Sequence, residues 1–288
     1  MYNSSSGMAI ALIITIMLLL FVAEKEHKPW TMIVNFCKTL TNYRFALIVI
    51  MMLAVLLLNK GQLALENKIH TNWDFTQVIH SYEGDFGAFV QKLENVPMTN
   101  ILSFVYIFVF PALVWVSLIF YKHKKDNVAV KRTFFAFLLN YIIAVPFYLF
   151  VPVNETWFAN PHVHLLIAKV YPAFNTEYRQ FSGLNNDFPS LHTSISWSLA
   201  FVAMSLNYKR FSRVMIVCAT TVTFSTLYLG IHWLTDVIGG LVLAAIVVKL
   251  ASKLSVMDLV PKQNLSGVKR RFKVAKEYVL DITMNLFS

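Results

Sequence analysis

The stretch Ile101-Leu-Ser-Phe-Val-Tyr-Ile-Phe-Val-Phe-Pro-Ala-Leu-Val-Trp-Val-Ser-Leu-Ile-Phe-Tyr121 contains no charged residue. A bilayer's hydrocarbon core, about 30 Å thick, is crossed by roughly 20 helical residues at 1.5 Å each, so this run predicts a membrane-spanning helix. Outward from it, apolar runs bounded by charged breaks fall near 8–23, 44–58, 133–152, 189–206, 213–230 and 235–251, which makes seven predicted spans. The composition agrees, with 57% hydrophobic and 14% charged residues and a mean hydropathy of +0.58, more apolar than one soluble core requires. The predicted fold is an all-α, polytopic helical bundle. Pro111 and Pro146 lie within spans, where neighbouring helices can satisfy the freed carbonyls. The run 8–23 follows an uncharged start without the basic region of a cleaved signal, so it reads as a retained helix.

Basic residues select the orientation, because Lys and Arg are retained on the cytoplasmic side of short loops. Lys25, Lys28, Lys38 and Arg44 follow the first span, Lys122, Lys124, Lys125, Lys131 and Arg132 the third, and Lys209, Arg210 and Arg213 the fifth. The intervening segments carry Glu66, Asp74, Glu83, Asp85 and Glu94, then Glu155, Glu177 and Asp187. Seven spans with the N-terminus outside satisfy every loop. The chain thus divides into two N-terminal spans (1–58), an extracytoplasmic interfacial segment (59–100), a membrane core (101–251) and a basic cytoplasmic tail (252–288). Segment 59–100 reads as an interfacial linker of short amphipathic helices, with a covering role as the alternative. The tail run Lys269-Arg270-Arg271-Phe272-Lys273 suits anionic inner-leaflet lipid.

The formal charge of +10 is dispersed between spans rather than gathered in a stripe, which excludes nucleic acid as a partner and leaves membrane lipids. Cys37 and Cys218 have no metal or redox spacing and read as apolar fillers.

The predicted topology brings three polar places to one outer surface. The fifth span opens with Asn185-Asn186-Asp187-Phe188-Pro189-Ser190-Leu191-His192, and the turn between the sixth and seventh contains Ser225-Thr226 and then His232-Trp233-Leu234-Thr235-Asp236. Four residues apart on a helix, His232 and Asp236 would share a face, and a carboxylate on one imidazole nitrogen fixes the tautomer and raises the basicity of the other. His192 lies in the first turn of a helix whose free amides suit an anion, with Ser190 and the Leu191 amide placed to hold its oxygens. Two histidines, an orienting carboxylate and an amide nest suit phosphoryl transfer through a phosphohistidine without metal or cofactor. A metal held by His192, His232 and Asp236 is the alternative. The plain reading makes Asp236 an N-cap, His232 an interfacial residue beside Trp233, and Pro189-Ser190 a helix cap.

At these residues the chain resembles the type 2 phosphatidic acid phosphatase superfamily. Pro189-Ser190-Leu191-His192 matches its Pro-Ser-Gly-His motif with Leu for Gly, and Ser225, His232 and Asp236 keep the spacing of its third motif. The resemblance, over roughly 150–250, implies a membrane enzyme acting on a lipid phosphate, with the core in the C-terminal five spans. It implies His232 as nucleophile, Asp236 as its partner, His192 as general acid and Ser190 as a phosphate ligand. Thr226 stands at the third motif's Arg, and the first motif is missing. These departures are more similar to the branch containing inositol phosphorylceramide synthase, which implies head-group transfer between lipids as the alternative to hydrolysis. They also leave the phosphate short of cations, for which Arg179 or Lys169 could substitute, Arg179 being preferred for its planar fork, with Asn154 and Ser225 as further ligands. A catalytically silent lipid-binding or transport protein is the reading from another class. An extracytoplasmic site in the plasma membrane is expected.

Overall fold

The protein is described by a computed structural model covering residues 4–66, 73–179 and 182–256. Its helices, in chain order, are α1 (Ser5–Ala23), α2 (Pro29–Thr39), α3 (Tyr43–Glu66), α4 (Thr76–Glu83), α5 (Phe86–Gln91), α6 (Val96–Phe104), α7 (Phe110–His123), α8 (Asn127–Phe150), α9 (Thr156–Ala159), α10 (Phe174–Tyr178), α11 (Leu191–Met204), α12 (Lys209–Tyr228) and α13 (Leu234–Leu254). Among the described residues there is no strand, only an isolated bridge between Val153 and Asn186. The all-α membrane bundle is therefore as expected. The basic tail lies outside the described residues from 257 onward.

Among the described residues five stretches are long and apolar enough to cross a membrane: α1, the continuous Val96–His123, α8, α12 and α13. The other two predicted spans appear as α3 and as α11, whose 14 residues reach only about 21 Å. α11 is short because it starts inside the bundle, at the depth of the polar cluster. It is also the central helix, packed against α7, α8, α12 and α13. Small polar residues permit that approach: Asn140 of α8 donates to Ser198 at 3.0 Å and accepts from Ser194. The segment 29–39, read as loop, is instead α2, bent by 100° from α3.

The span that opened the reading begins with an Asn95 cap accepting from the Met98 amide at 2.9 Å. Between α6 and α7 it widens into a π-helical turn, Val105–Val109. Pro111 follows directly, and the wider turn makes room for a ring that would otherwise strike the carbonyl four residues back.

Polar contacts tie the loops together at each end of the bundle. At one end Lys124 pairs with Glu24 at 2.5 Å, Arg132 donates to Ser205 at 2.9 Å, and Tyr208 to Asp126. At the other, α4 and α5 lie on the loops 152–190 and 229–233. Gln91 Nε2 donates to the carbonyls of His164 and Tyr228 at 2.7 and 3.1 Å. Asn160 donates to Asp85 at 3.0 Å, and Trp233 Nε1 to the Asn154 carbonyl at 2.9 Å. Polar residues of segment 73–95 thus take up backbone groups that these loops would otherwise leave unpaired.

Candidate active site

The Ser190 hydroxyl accepts from the Thr193 amide at 3.3 Å and so caps α11. Its own amide donates to the Asp236 carbonyl at 3.1 Å, tying the start of α11 to that of α13. Two glycines permit this junction: a Cβ on Gly240 would lie 2.7 Å from the Ser190 carbonyl oxygen, and one on Gly239 would lie 2.5 Å from the Phe188 ring. After α12, Gly230 turns the chain at φ +79°, a left-handed conformation, with the His164 carbonyl 2.5 Å from where a Cβ would stand. That turn delivers His232 into the bundle.

His232 is in the extended link before α13, not on a helix shared with Asp236, so the one-face geometry expected for the pair is corrected. The contact survives because Asp236 reaches back over the helix start. Its Oδ2 accepts from the Trp233 amide at 2.8 Å and lies 3.5 Å from His232 Nδ1. Asp236 is not the N-cap of α13, as the plain reading had it; Trp233 holds that position, and Asp236 is the third helical residue whose carboxylate accepts from the cap's amide. The nearer carboxylate is Asp187, whose Oδ1 is 2.7 Å from Nδ1. All three are buried, His232 at 6%, Asp187 at 2% and Asp236 at 0% exposure. Burial alone would lower the imidazole's pKa, but Asp187, and Asp236 with it, outweigh that and raise it from 6.5 to about 10. Asp187 Oδ2 and Asp236 Oδ1 have no donor among the described residues.

His192 faces His232 with ring centroids 6.3 Å apart. It is clamped between Tyr106, stacked at 4.2 Å, and Phe110, also at 4.2 Å. Tyr106 comes from the π-helical turn, which thus shapes the wall holding this histidine. Both histidines and Leu191 line a cavity of about 610 Å³. Its other walls include Tyr106, Tyr141, Tyr148, Tyr171 and Tyr178, and no Lys or Arg among the described residues.

The remaining predicted ligands are placed elsewhere. Arg179 Nη2 is 2.6 Å from Glu155 Oε1, and the same guanidinium donates to Asn175 and the Ser182 carbonyl. Ser225 donates to the Val222 carbonyl within its own helix at 2.6 Å. Asn154 donates to Asp74 and Thr76. Each is bonded away from the cavity, which none of the three lines.

Sequence reasoning missed three contributors. Asp187 was counted only as a loop acid, and the signal available was its place three residues before Ser190. Glu83 accepts from the Leu234 and Thr235 amides at 2.8 and 2.5 Å, capping α13 from a distant helix; no local pattern marks that. Asn186 lines the cavity with a buried, unpartnered Oδ1. The metal grouping also changes. Asp187, His232 and Asp236 bring ligand atoms within 4.8 Å of one another, and His192 is not among them. A zinc ion needs each ligand at about 2.0–2.2 Å, which asks two ligands to stand farther apart than 2.7 Å. Nδ1 and Asp187 Oδ1, 2.7 Å apart, stand at ion-pair distance.

No curated protein and no solved structure matches the chain. A family model described as the PAP2 superfamily matches residues 76–250, a stretch that begins at α4 and ends in α13. With more than half its length matched and both histidines inside the match, the chain belongs to the PAP2 superfamily, whose membership points to a phosphatase or phosphotransferase.

Proposed function

We propose that this chain is a lipid-phosphate phosphatase of the plasma membrane, working at the extracytoplasmic face through a phosphohistidine on His232. One observation carries the proposal: two facing histidines, one with paired carboxylates behind it, close the end of an apolar cavity large enough for an amphiphile. Asp187 and Asp236 hold the proton on Nδ1, which leaves Nε2 for the substrate. As Nε2 in its neutral form attacks phosphorus, positive charge grows on the ring, and the two carboxylates are already oriented to stabilise it. His192 gives its proton to the departing oxygen as the phosphorus–oxygen bond breaks, then takes one from the incoming hydroxyl in the second step. Water as acceptor releases phosphate and a lipid alcohol. With a phosphodiester lipid as donor, the departing lipid alcohol would leave the phosphorylated head group on His232, and a lipid hydroxyl as acceptor would then make a new phosphodiester, as in the inositol phosphorylceramide synthase-like reaction.

With no Lys or Arg on the cavity wall among the described residues, the positive charge that grows on the His232 ring during attack and the amides at the start of α11 supply the compensation for phosphate charge. The acidic loops on the site's side and the basic loops at the opposite end support the extracytoplasmic assignment.

The test uses purified protein with radiolabelled lipid phosphates and pyrophosphates, with and without a polyol acceptor, and with a chelator. Release of inorganic phosphate that is lost in His232→Ala and indifferent to chelation is the expected result. Label transferred to the polyol instead of released as inorganic phosphate would assign the transferase reaction, and equal turnover by His232→Ala would remove the mechanism. Inhibition by the chelator would restore the metal reading.

A further inference from the structure

A second cavity, of about 150 Å³, adjoins the catalytic one, and the two share the wall residues Leu53, Phe110, Pro111 and Tyr141. Its direction can be read from three helices independently. On α7, which runs away from the site, the shared residues are followed by Val114, Trp115 and Leu118, which line only the second cavity. On α8, antiparallel to α7, the residue lining only the second cavity, Phe137, precedes the shared Tyr141 by one turn. On α3, running toward the site's end, Val49 and Met52 precede the shared Leu53. All three place the second cavity deeper, extending about 6–10 Å beyond the level of Pro111 and Tyr141 toward the basic end of the bundle.

The chemistry of the walls changes along the same direction. The first cavity has tyrosine hydroxyls, Glu177, Asn186 and the histidines. Among the described residues the second has aliphatic and aromatic side chains, with only the Tyr141 hydroxyl and the Trp115 indole as polar groups. A space lined this way is unfavourable for water and suited to hydrocarbon. Polar and reactive groups at one end and apolar walls at the other match an amphiphile with its phosphate at His232 and its tail directed inward. We infer that the two cavities form one channel, and that its deep part holds the end of a single hydrocarbon tail of the lipid phosphate undergoing reaction. The inference rests on the lipid-phosphate reading of the site and adds the substrate's orientation and chain selectivity. Because membrane lipid is as apolar as these walls, the selection acts through fit rather than transfer from water. Trp115 and Leu118 set the depth.

The test reads binding separately from turnover. Full-length protein in liposomes is photolysed with a non-hydrolysable long-chain alkyl phosphonate bearing a diazirine at the chain's end, for both the unaltered protein and His232→Ala. Label on the peptides containing Val49–Leu53 and Val114–Leu118, displaced by unmodified alkyl phosphonate, is expected. Label confined to outward-facing α13 residues such as Ile238 and Val242, or none above background, would overturn the channel. In parallel, Val114→Trp should lower the ratio of long-chain to short-chain kcat/KM for alkyl phosphates by about tenfold, and Trp115→Ala should raise it. Turnover with no change in that ratio and no channel label sinks the tail assignment while leaving the phosphatase reading intact. Channel label without any turnover does the reverse.

Discussion

Replacing Asp187 with Asn asks which carboxylate orients the nucleophile. The geometry favours Asp187, since its oxygen is 2.7 Å from Nδ1, whereas that of Asp236 is 3.5 Å away and already accepts from the Trp233 amide at 2.8 Å. Asn keeps the volume and one carbonyl but removes the charge. Loss of the orienting carboxylate in a comparable histidine-based site, the protease triad, lowers kcat by about 10⁴. Here Asp236 remains as a second carboxylate, so a fall of about 10²–10³ is expected in kcat/KM at the plateau above the rising limb, where His232 is neutral in both proteins. The pH dependence supplies an independent sign. Burial draws the His232 pKa down while Asp187 and Asp236 lift it to about 10. Because the attacking imidazole must be neutral, kcat/KM should rise with pH toward that value. Without Asp187 the lift shrinks, and the rising limb should move acidward, toward 6.5. The assay is phosphate release from a lipid phosphate in detergent across about pH 5 to 10. A variant within twofold of the unaltered enzyme with an unmoved limb would refute the assignment, the more so if Asp236→Asn lost both.

The same pair makes stability pH-dependent. The folded pKa of His232 lies above its unfolded value, so its contribution is complete below pH 6.5 and lost as pH rises through about 10. Thermal unfolding in detergent should show Tm falling over that window, with a smaller fall in Asp187→Asn. Gly240→Ala drives a Cβ to 2.7 Å from the Ser190 carbonyl, and should cost about 1–3 kcal/mol together with activity; a variant equal in both would contradict the described junction. Glu83→Gln loses the charge on two amide bonds at the start of α13 and should cost about 1–2 kcal/mol, measured by denaturation. Arg179→Met leaves the buried Glu155 carboxylate without its ion-pair partner, bonded only to the Trp157 indole among described side chains, and should destabilise by about 3–5 kcal/mol, with Glu155→Gln on the same chain restoring stability. A rise in KM persisting in that double variant would instead make Arg179 a phosphate ligand.

Spans were legible wherever one chain property, a long apolar run, dictates one outcome, as at Ile101–Tyr121. α11 was less legible because its length depends on where the bundle places its start. α2 hid because Lys28 and Lys38 at its ends read as loop charge. At the site, His192, His232 and Asp236 could be picked out because their spacing is local or recurs with its neighbours. Asp187 and Glu83 act on partners far along the chain, and no periodicity records a tertiary contact. Arg179 was chosen by elimination as a cation for phosphate, but the closer need of Glu155 captures it. Burying a carboxylate without a partner costs more than leaving an interfacial guanidinium in water.

The central claim is that His232 is phosphorylated in turnover. Rapid quenching of the enzyme with a ³²P-labelled lipid phosphate, followed by alkaline peptide mapping, should place acid-labile label on the peptide containing His232. Label should accumulate in His192→Ala when the substrate has a good leaving group, and be absent in His232→Ala. Turnover without any trapped label, or label on a different residue, would contradict the account.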